Sequence, residues 1–286
     1  MKSIIVPVDF SEQSEKALNA AATLAKNGDT ELIVLHMLEL SPAIMSESGY
    51  VSQEQVVHLI KIGEQRFSDF LDKPYLKDVK IIPVIKHYKV FSEVNEIVKK
   101  HNADLVVMGS HGTDGLQEVF IGSNTERVVR TSDVPVLVKK GDEKQYTPER
   151  FVFACDFKEE NIPALKQAIS ISELFKSKLH LVYINTPGDE FLSTEDAYNR
   201  ISRFLNIAKL GLEVEIYNDY TVEKGVLNYS ESIAADLIGI PTHGRRGLSH
   251  FFMGSIGEDI ANHSETPVIT FKILLIDFIR LLLEIT

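Results

Sequence analysis

The stretch MGSHGTDGLQEVFIGSNTERVV, residues Met108–Val129, holds Gly109, Gly112, Gly115 and Gly122. A second stretch, IPTHGRRGLSHFFMGSIGEDIA, residues Ile240–Ala261, repeats its layout, with Pro241 where the first has Gly109. At a constant offset of 132, His111, Gly112, Gly115, Leu116, Phe120, Gly122, Ser123, Glu126 and Pro135 meet His243, Gly244, Gly247, Leu248, Phe252, Gly254, Ser255, Glu258 and Pro267. Asp104 and Leu105 likewise meet Asp236 and Leu237. Near the start of each half the offset is 147, so that IIVPVDF meets FVFACDF and Asp9 meets Asp156. The later half therefore lacks 15 residues between its second and third strands. Such a repeat marks the chain as a duplication.

Each half reads as alternating strand and helix. SIIVPVD is a buried β-branched strand, and SEQSEKALNAAATLAKNG is an amphipathic helix opening at Ser11 and stopped by Gly28. ELIVLHML is a strand, residues 52–72 carry helical periodicity, and VKIIPVI, VFSEVNEIVKKHN and DLVVMG follow as strand, helix and strand. The glycine stretch leads to a helix near 123–132 and the strand VPVLVKK. Five strands alternating with four helices predict an α/β fold whose parallel sheet is covered on both faces. The polar stretch KGDEKQYTPER, Lys140–Arg150, separates the copies. The expected organisation is a first domain over 1–140, a linker over 141–149, a second domain over 150–272 and an apolar tail over 273–286.

The chain has 286 residues, 44% hydrophobic and 25% charged, as in globular proteins of two ordinary domains. A formal net charge of -11 argues against nucleic acid and anionic membrane as partners, because polyanions repel it. The single cysteine, Cys155, excludes an intramolecular disulfide and fits a reducing, cytoplasmic compartment. The N-terminal apolar run before Asp9 is too short for a signal peptide. The end, ILLIDFIRLLLEIT, is shorter than the roughly 20 residues of a membrane span and is interrupted by Asp277, Arg280 and Glu284. It reads as an end foreign to the fold, such as a frameshifted terminus, rather than as a partner-binding amphipathic helix.

In open parallel sheets ligands bind beyond the carboxyl ends of the strands. Asp9 and Asp156 end the first strands, and the glycine stretches follow the fourth. Glycines at 109 and 112 let backbone approach a ligand, and Gly122-Ser123 opens a helix whose free N–H groups attract anions. No Lys-Ser/Thr follows the last glycine, so this is not a Walker A loop, nor is it a dinucleotide fingerprint. An alternative stays open: SNTE and SIGE are both S-x-x-E capping boxes, in which each serine merely caps its helix. His111 and His243 lack the further ligands of a zinc site and read as loop braces; Cys155 reads as a buried strand residue; no G-x-S-x-G nucleophile motif occurs.

The layout resembles the universal stress protein family, whose ATP-binding members carry G-x2-G-x9-G-(S/T), met here by Gly109, Gly112, Gly122 and Ser123. The aspartate ending the first strand and the closing Pro-Val strand also match. The resemblance covers both halves to about residue 272 and is that of a tandem member. It implies two doubly wound open parallel five-stranded sheets of order 3-2-1-4-5, related by a pseudo-twofold and paired through their last strands. It also implies that Val8, Asp9 and Met37 surround adenine. Met108, Gly109 and Gly112 would line ribose and phosphates, and Gly122, Ser123, Asn124 and Thr125 would hold the phosphates of ATP, with Mg as its companion. A weaker second site is expected at Cys155, Asp156, Ile184, Ile240, Gly244, Arg245, Gly254 and Ser255. There Pro241 adds a ring where backbone should approach, although Arg245 and Arg246 make the loop more cationic.

Two function classes follow. One is an ATP-binding regulatory protein of the stress response, with at most slow hydrolysis; the other is a nucleotide-independent interaction scaffold. Ligases and pyrophosphatases of related fold use S-G-G-x-D-S or H-I-G-H signatures, which this sequence lacks. A homodimer of chains stays open. The 15 extra residues of the first half are expected around ELSPAIMSESGYVSQE, as a surface loop or a lid over adenine through Ile44, Met45 and Tyr50.

Overall fold

The computed structural model describes residues 1–38, 53–87, 90–110, 123–141, 146–243, 260 and 264–273. The first half runs β1 (Ser3–Val8), α1 (Glu12–Gly28), β2 (Glu31–Leu38), α2 (Gln53–Leu71), β3 (Ile81–His87), α3 (Val90–His101), β4 (Leu105–Gly109), α4 (Ser123–Thr131) and β5 (Val136–Lys139). The second runs β6 (Arg150–Ala154), α5 (Ile162–Phe175), β7 (Lys178–Asn185), α6 (Thr194–Ala208), β8 (Val214–Asn218), α7 (Val222–Ser232), β9 (Leu237–His243) and β10 (Val268–Ile273). The strands form one ten-stranded sheet, β3-β2-β1-β4-β5-β10-β9-β6-β7-β8. Each half thus has the order 3-2-1-4-5, parallel within itself, as expected. The two sheets are not separate bodies. They join edge to edge through an antiparallel β5–β10 pair in which Val136, Leu137 and Val138 face Thr270, Ile269 and Val268. Leu137 and Ile269 are equivalent by the offset of 132, so the pseudo-twofold passes through this pair.

The central strands β1, β4, β5 and β6 are buried along almost their whole length, as parallel strands covered on both faces must be. One continuous core, including Val8, Leu18, Phe67, Phe70, Phe153, Phe157 and Phe271, runs beneath α1, α2, α5 and α6 across both halves. Opposite it lie two smaller cores, one per half, around Ile33, Met37, Val94 and Met108, and around Val182, Ile184, Val226 and Ile240. The linker also docks: the Tyr146 side chain is buried, its hydroxyl donates to the Asp236 carbonyl at 3.3 Å, and its ring meets Phe175 edge-on.

The repeated Asp104 and Asp236 acquire a structural reason. One Asp104 carboxylate oxygen accepts from the backbone N–H groups of Lys2 and Ser3, and Asp236 does the same for Glu149 and Arg150. Each aspartate ties the start of its half's first strand to the strand beside it. The 15-residue difference does lie between second and third strands, but it is distributed. Fourteen residues, 39–52, stand between β2 and α2 in one half and eight, 186–193, between β7 and α6 in the other; α2 has 19 residues against 15 in α6, and the return to the third strand spans 72–80 against 209–213. The lid residues Ile44, Met45 and Tyr50 lie outside the described residues, as does the tail beyond Ile273.

Candidate functional site

β1 pairs directly with β4, which sets Val8 and Asp9 beside Met108 and Gly109 at the carboxyl edge of the sheet, with Met37 at the end of β2 alongside. Val8, Met37 and Met108 are buried, and Asp9 is exposed. After Asp9 the chain turns through Phe10 at φ 68, a left-handed conformation that a bulky residue adopts only where its surroundings impose it. They do so here: the Phe10 ring packs against His36 with centroids 4.1 Å apart, edge-on to Phe70 at 5.3 Å, and under the Arg66 guanidinium at 4.8 Å. His36 Nδ1 lies 2.9 Å from the Val8 carbonyl oxygen. Burial holds the His36 pKa below its ordinary value, and the positive charge of Arg66 works in the same direction.

The turn delivers Ser11 as the N-cap of α1. Its hydroxyl accepts from the Ser14 N–H, and the Asp9 carboxylate accepts from the Ser11 N–H and hydroxyl. Gly109 sits against this first turn. A Cβ at position 109 would lie 2.4 Å from the Gln13 carbonyl oxygen, so the fold itself demands glycine there, whatever else binds.

Behind Gly109, Ser123 opens α4 and Asn124 is exposed. The Thr125 side chain is buried and its hydroxyl donates to the Gly109 carbonyl at 3.1 Å, which fastens the start of α4 to the end of β4. The structure thus brings Val8, Asp9, Met37, Met108, Gly109, Ser123, Asn124 and Thr125 to one sheet edge. Gly112 and Gly122 of the same expectation lie outside the described residues.

The second half is built differently. Asp156 is 2% exposed, and its carboxylate is engaged by the Lys158 N–H and ammonium and by the Asn161 amide. Lys158 stands where the first half has the capping Ser11, and the first turn becomes a 3-10 segment, Glu159–Asn161, before α5. Pro241 stands at the position equivalent to Gly109. Cys155, Ile184 and Ile240 line a small apolar hollow of about 10 Å3 with Ala154, Val222, Val226 and Ile260, room for about one water. Burial, and then the adjacent Asp156, pushes the Cys155 thiol well above its ordinary pKa. Gly244, Arg245, Gly254 and Ser255 lie outside the described residues.

Sequence reading missed His36, Asn161 and the αL phenylalanines Phe10 and Phe157. The Asp-Phe pair repeating at offset 147 was the available signal. Among the described residues no group of three or more His, Cys, Asp or Glu side chains is placed to hold a metal ion, and no helix is long and apolar enough to cross a membrane.

The profile of the universal stress protein family matches residues 1–140 and again 148–272. The chain belongs to the universal stress protein family. It is a tandem member, with two family repeats in one chain. A universal stress protein of Mycolicibacterium smegmatis is 24% identical over 291 residues, covering 94% of this chain and 96% of its own. One from Methanocaldococcus jannaschii is 32% identical over 146 residues, covering 50% of this chain and 85% of its own. Among solved structures, a universal stress protein from Archaeoglobus fulgidus superposes with a TM-score of 0.74 at 23% identity, covering 94% of this chain and 98% of that one, which supports the fold.

Proposed function

We propose that this universal stress protein is a regulatory protein that binds an adenine nucleotide, ATP, in its first half. The carrying observation is the contrast in burial between the two aspartates: Asp9, with Ser11 on its carboxylate, stands exposed at the sheet edge beside Gly109 and the start of α4, whereas Asp156, held by Lys158 and Asn161, is buried. Val8, Met37 and Met108 would face the adenine. The N–H groups opening α4 at Ser123 and Asn124, together with Gly112 and Gly122, would receive the phosphates. Mg would arrive bound to ATP, since the described residues offer it no carboxylate cluster.

A second reading, the nucleotide-independent scaffold, is favoured by two observations. Gly109 is required by the Gln13 backbone, and Thr125 spends its hydroxyl proton on the Gly109 carbonyl. Calorimetric titration with ATP separates the readings. The native chain is expected to bind, and Gly122→Val, which puts a branched side chain at the cradle, to lose binding while keeping its unfolding midpoint. Equal binding by both proteins would remove the assignment, and no binding by the native chain would leave the scaffold.

A further inference from the structure

Two lysines equivalent at the offset of 132 stand at the seam, Lys140 just beyond β5 and Lys272 near the end of β10. Each reaches across the pseudo-twofold into the other half. Lys272 Nζ donates to the Thr131 carbonyl at 3.2 Å and to the Asp133 carboxylate at 3.0 Å; Lys140 Nζ donates to the Ser264 carbonyl. Ser132 and Ser264 correspond, and each donates its N–H four residues back, to Val128 and Ile260. Both lysines therefore approach the carboxyl end of a helical turn, where carbonyls are unpaired and a cation is favoured.

The two latches serve different helices. The helix that Lys272 closes is α4, whose opposite end, Ser123–Thr125, stands at the candidate phosphate cradle. α4 has nine residues, fewer than an isolated helix needs to hold its shape in water, so its position depends on what grips its ends. Thr125 grips one end through Gly109. At the other, Thr131 receives Asn95 Nδ2 at 2.8 Å from its own half and Lys272 from the second. Asp133 is held by Asn95, Lys99 and Lys272 together.

We infer that Lys272 is a positioning residue for the nucleotide site of the first half: the second half holds α4 in register across the seam. This rests on the ATP reading above and adds to it a role for the second repeat. Loosening the carboxyl end of α4 lets its amino end drift from the phosphates but leaves the adenine pocket between β1, β2 and β4 in place.

The test compares Lys272→Met, Lys272→Arg and Lys140→Met in the full chain. Hydrogen exchange along α4 is read without ligand, and ATP and adenosine are titrated separately. Lys272→Met is expected to speed exchange of the α4 amides and to weaken ATP about fivefold, the size of one favourable charge at a helix end, with adenosine affinity unchanged. Lys272→Arg restores both, and Lys140→Met, which cuts the reciprocal latch, changes neither. Unchanged α4 exchange in Lys272→Met overturns the inference, whether or not ATP binds. Equal effects of Lys140→Met and Lys272→Met on α4, or equal losses of ATP and adenosine, also overturn it, because they reduce Lys272 to general seam stability. Faster α4 exchange with no ATP binding by the native chain keeps the structural role of Lys272 and removes the nucleotide reading instead.

Discussion

Gly109 and Lys140 show how single residues answer to the fold before they answer to a ligand. Gly109→Ala places a methyl group against the Gln13 carbonyl oxygen, and the backbone on one side must shift. Equilibrium urea unfolding is expected to show a loss of about 1–3 kcal/mol, the usual cost of overpacking, equally with and without ATP. A loss seen only as weaker nucleotide binding would mean that the glycine serves the ligand alone. Lys140 is 4% exposed, and burial pulls its pKa down to about 8, with Glu265 opposing. The unfolded chain, where a lysine titrates near 10.5, then binds more protons between pH 8 and 10, so this residue makes stability rise with pH across that window. The difference in unfolding free energy between the native chain and Lys140→Met should change accordingly from pH 7 to 10. A constant difference would contradict the buried charge.

At the scale of elements, the β1–α1 turn separates the halves. Ser11 caps α1, and its loss in Ser11→Ala should cost about 1 kcal/mol in thermal or urea unfolding, with no loss if the helix start is held by Gln13 packing alone. The strands and helices were legible because β-branched runs and apolar periodicity report burial directly. The order 3-2-1-4-5 came from the family resemblance rather than from any pattern of residues. Of the candidate site, Asp9 and Gly109 were legible from their places at strand ends, whereas Val8, Met37 and Met108 came from the family resemblance. The structural need for Gly109 was not, because the approach of the Gln13 carbonyl joins residues far apart in sequence. The fate of Asp156 was hidden for a related reason: aspartates at equivalent positions look alike until Lys158 and Asn161 fold back onto one of them. The expectation that the extra residues of the first half form one insertion treated a length difference as local, whereas helix and return segments share it.

The whole molecule is a two-repeat sheet joined through its own last strands. Pairing β5 with β10 covers one edge of each repeat and leaves β3 and β8 as the edges of the joined sheet. Lys140, Lys272 and the docked Tyr146 add contacts across the seam or along the linker. A chain nicked by protease within 142–145 is therefore expected to elute from a sizing column as one particle, its two fragments separating only in denaturant. Fragments that part in native buffer would show that the linker, not the seam, holds the halves together. In the second half Cys155, Ile184 and Ile240 leave a hollow of only about 10 Å3 between them, and Asp156 is engaged by Lys158 and Asn161. The central claim is thus an asymmetric tandem with one nucleotide per chain. Native mass spectrometry of the full chain titrated with Mg-ATP counts it directly. One bound ATP, lost in Asp9→Ala and retained in Asn161→Ala, is the predicted result; two per chain would contradict the asymmetry, and none would contradict nucleotide binding.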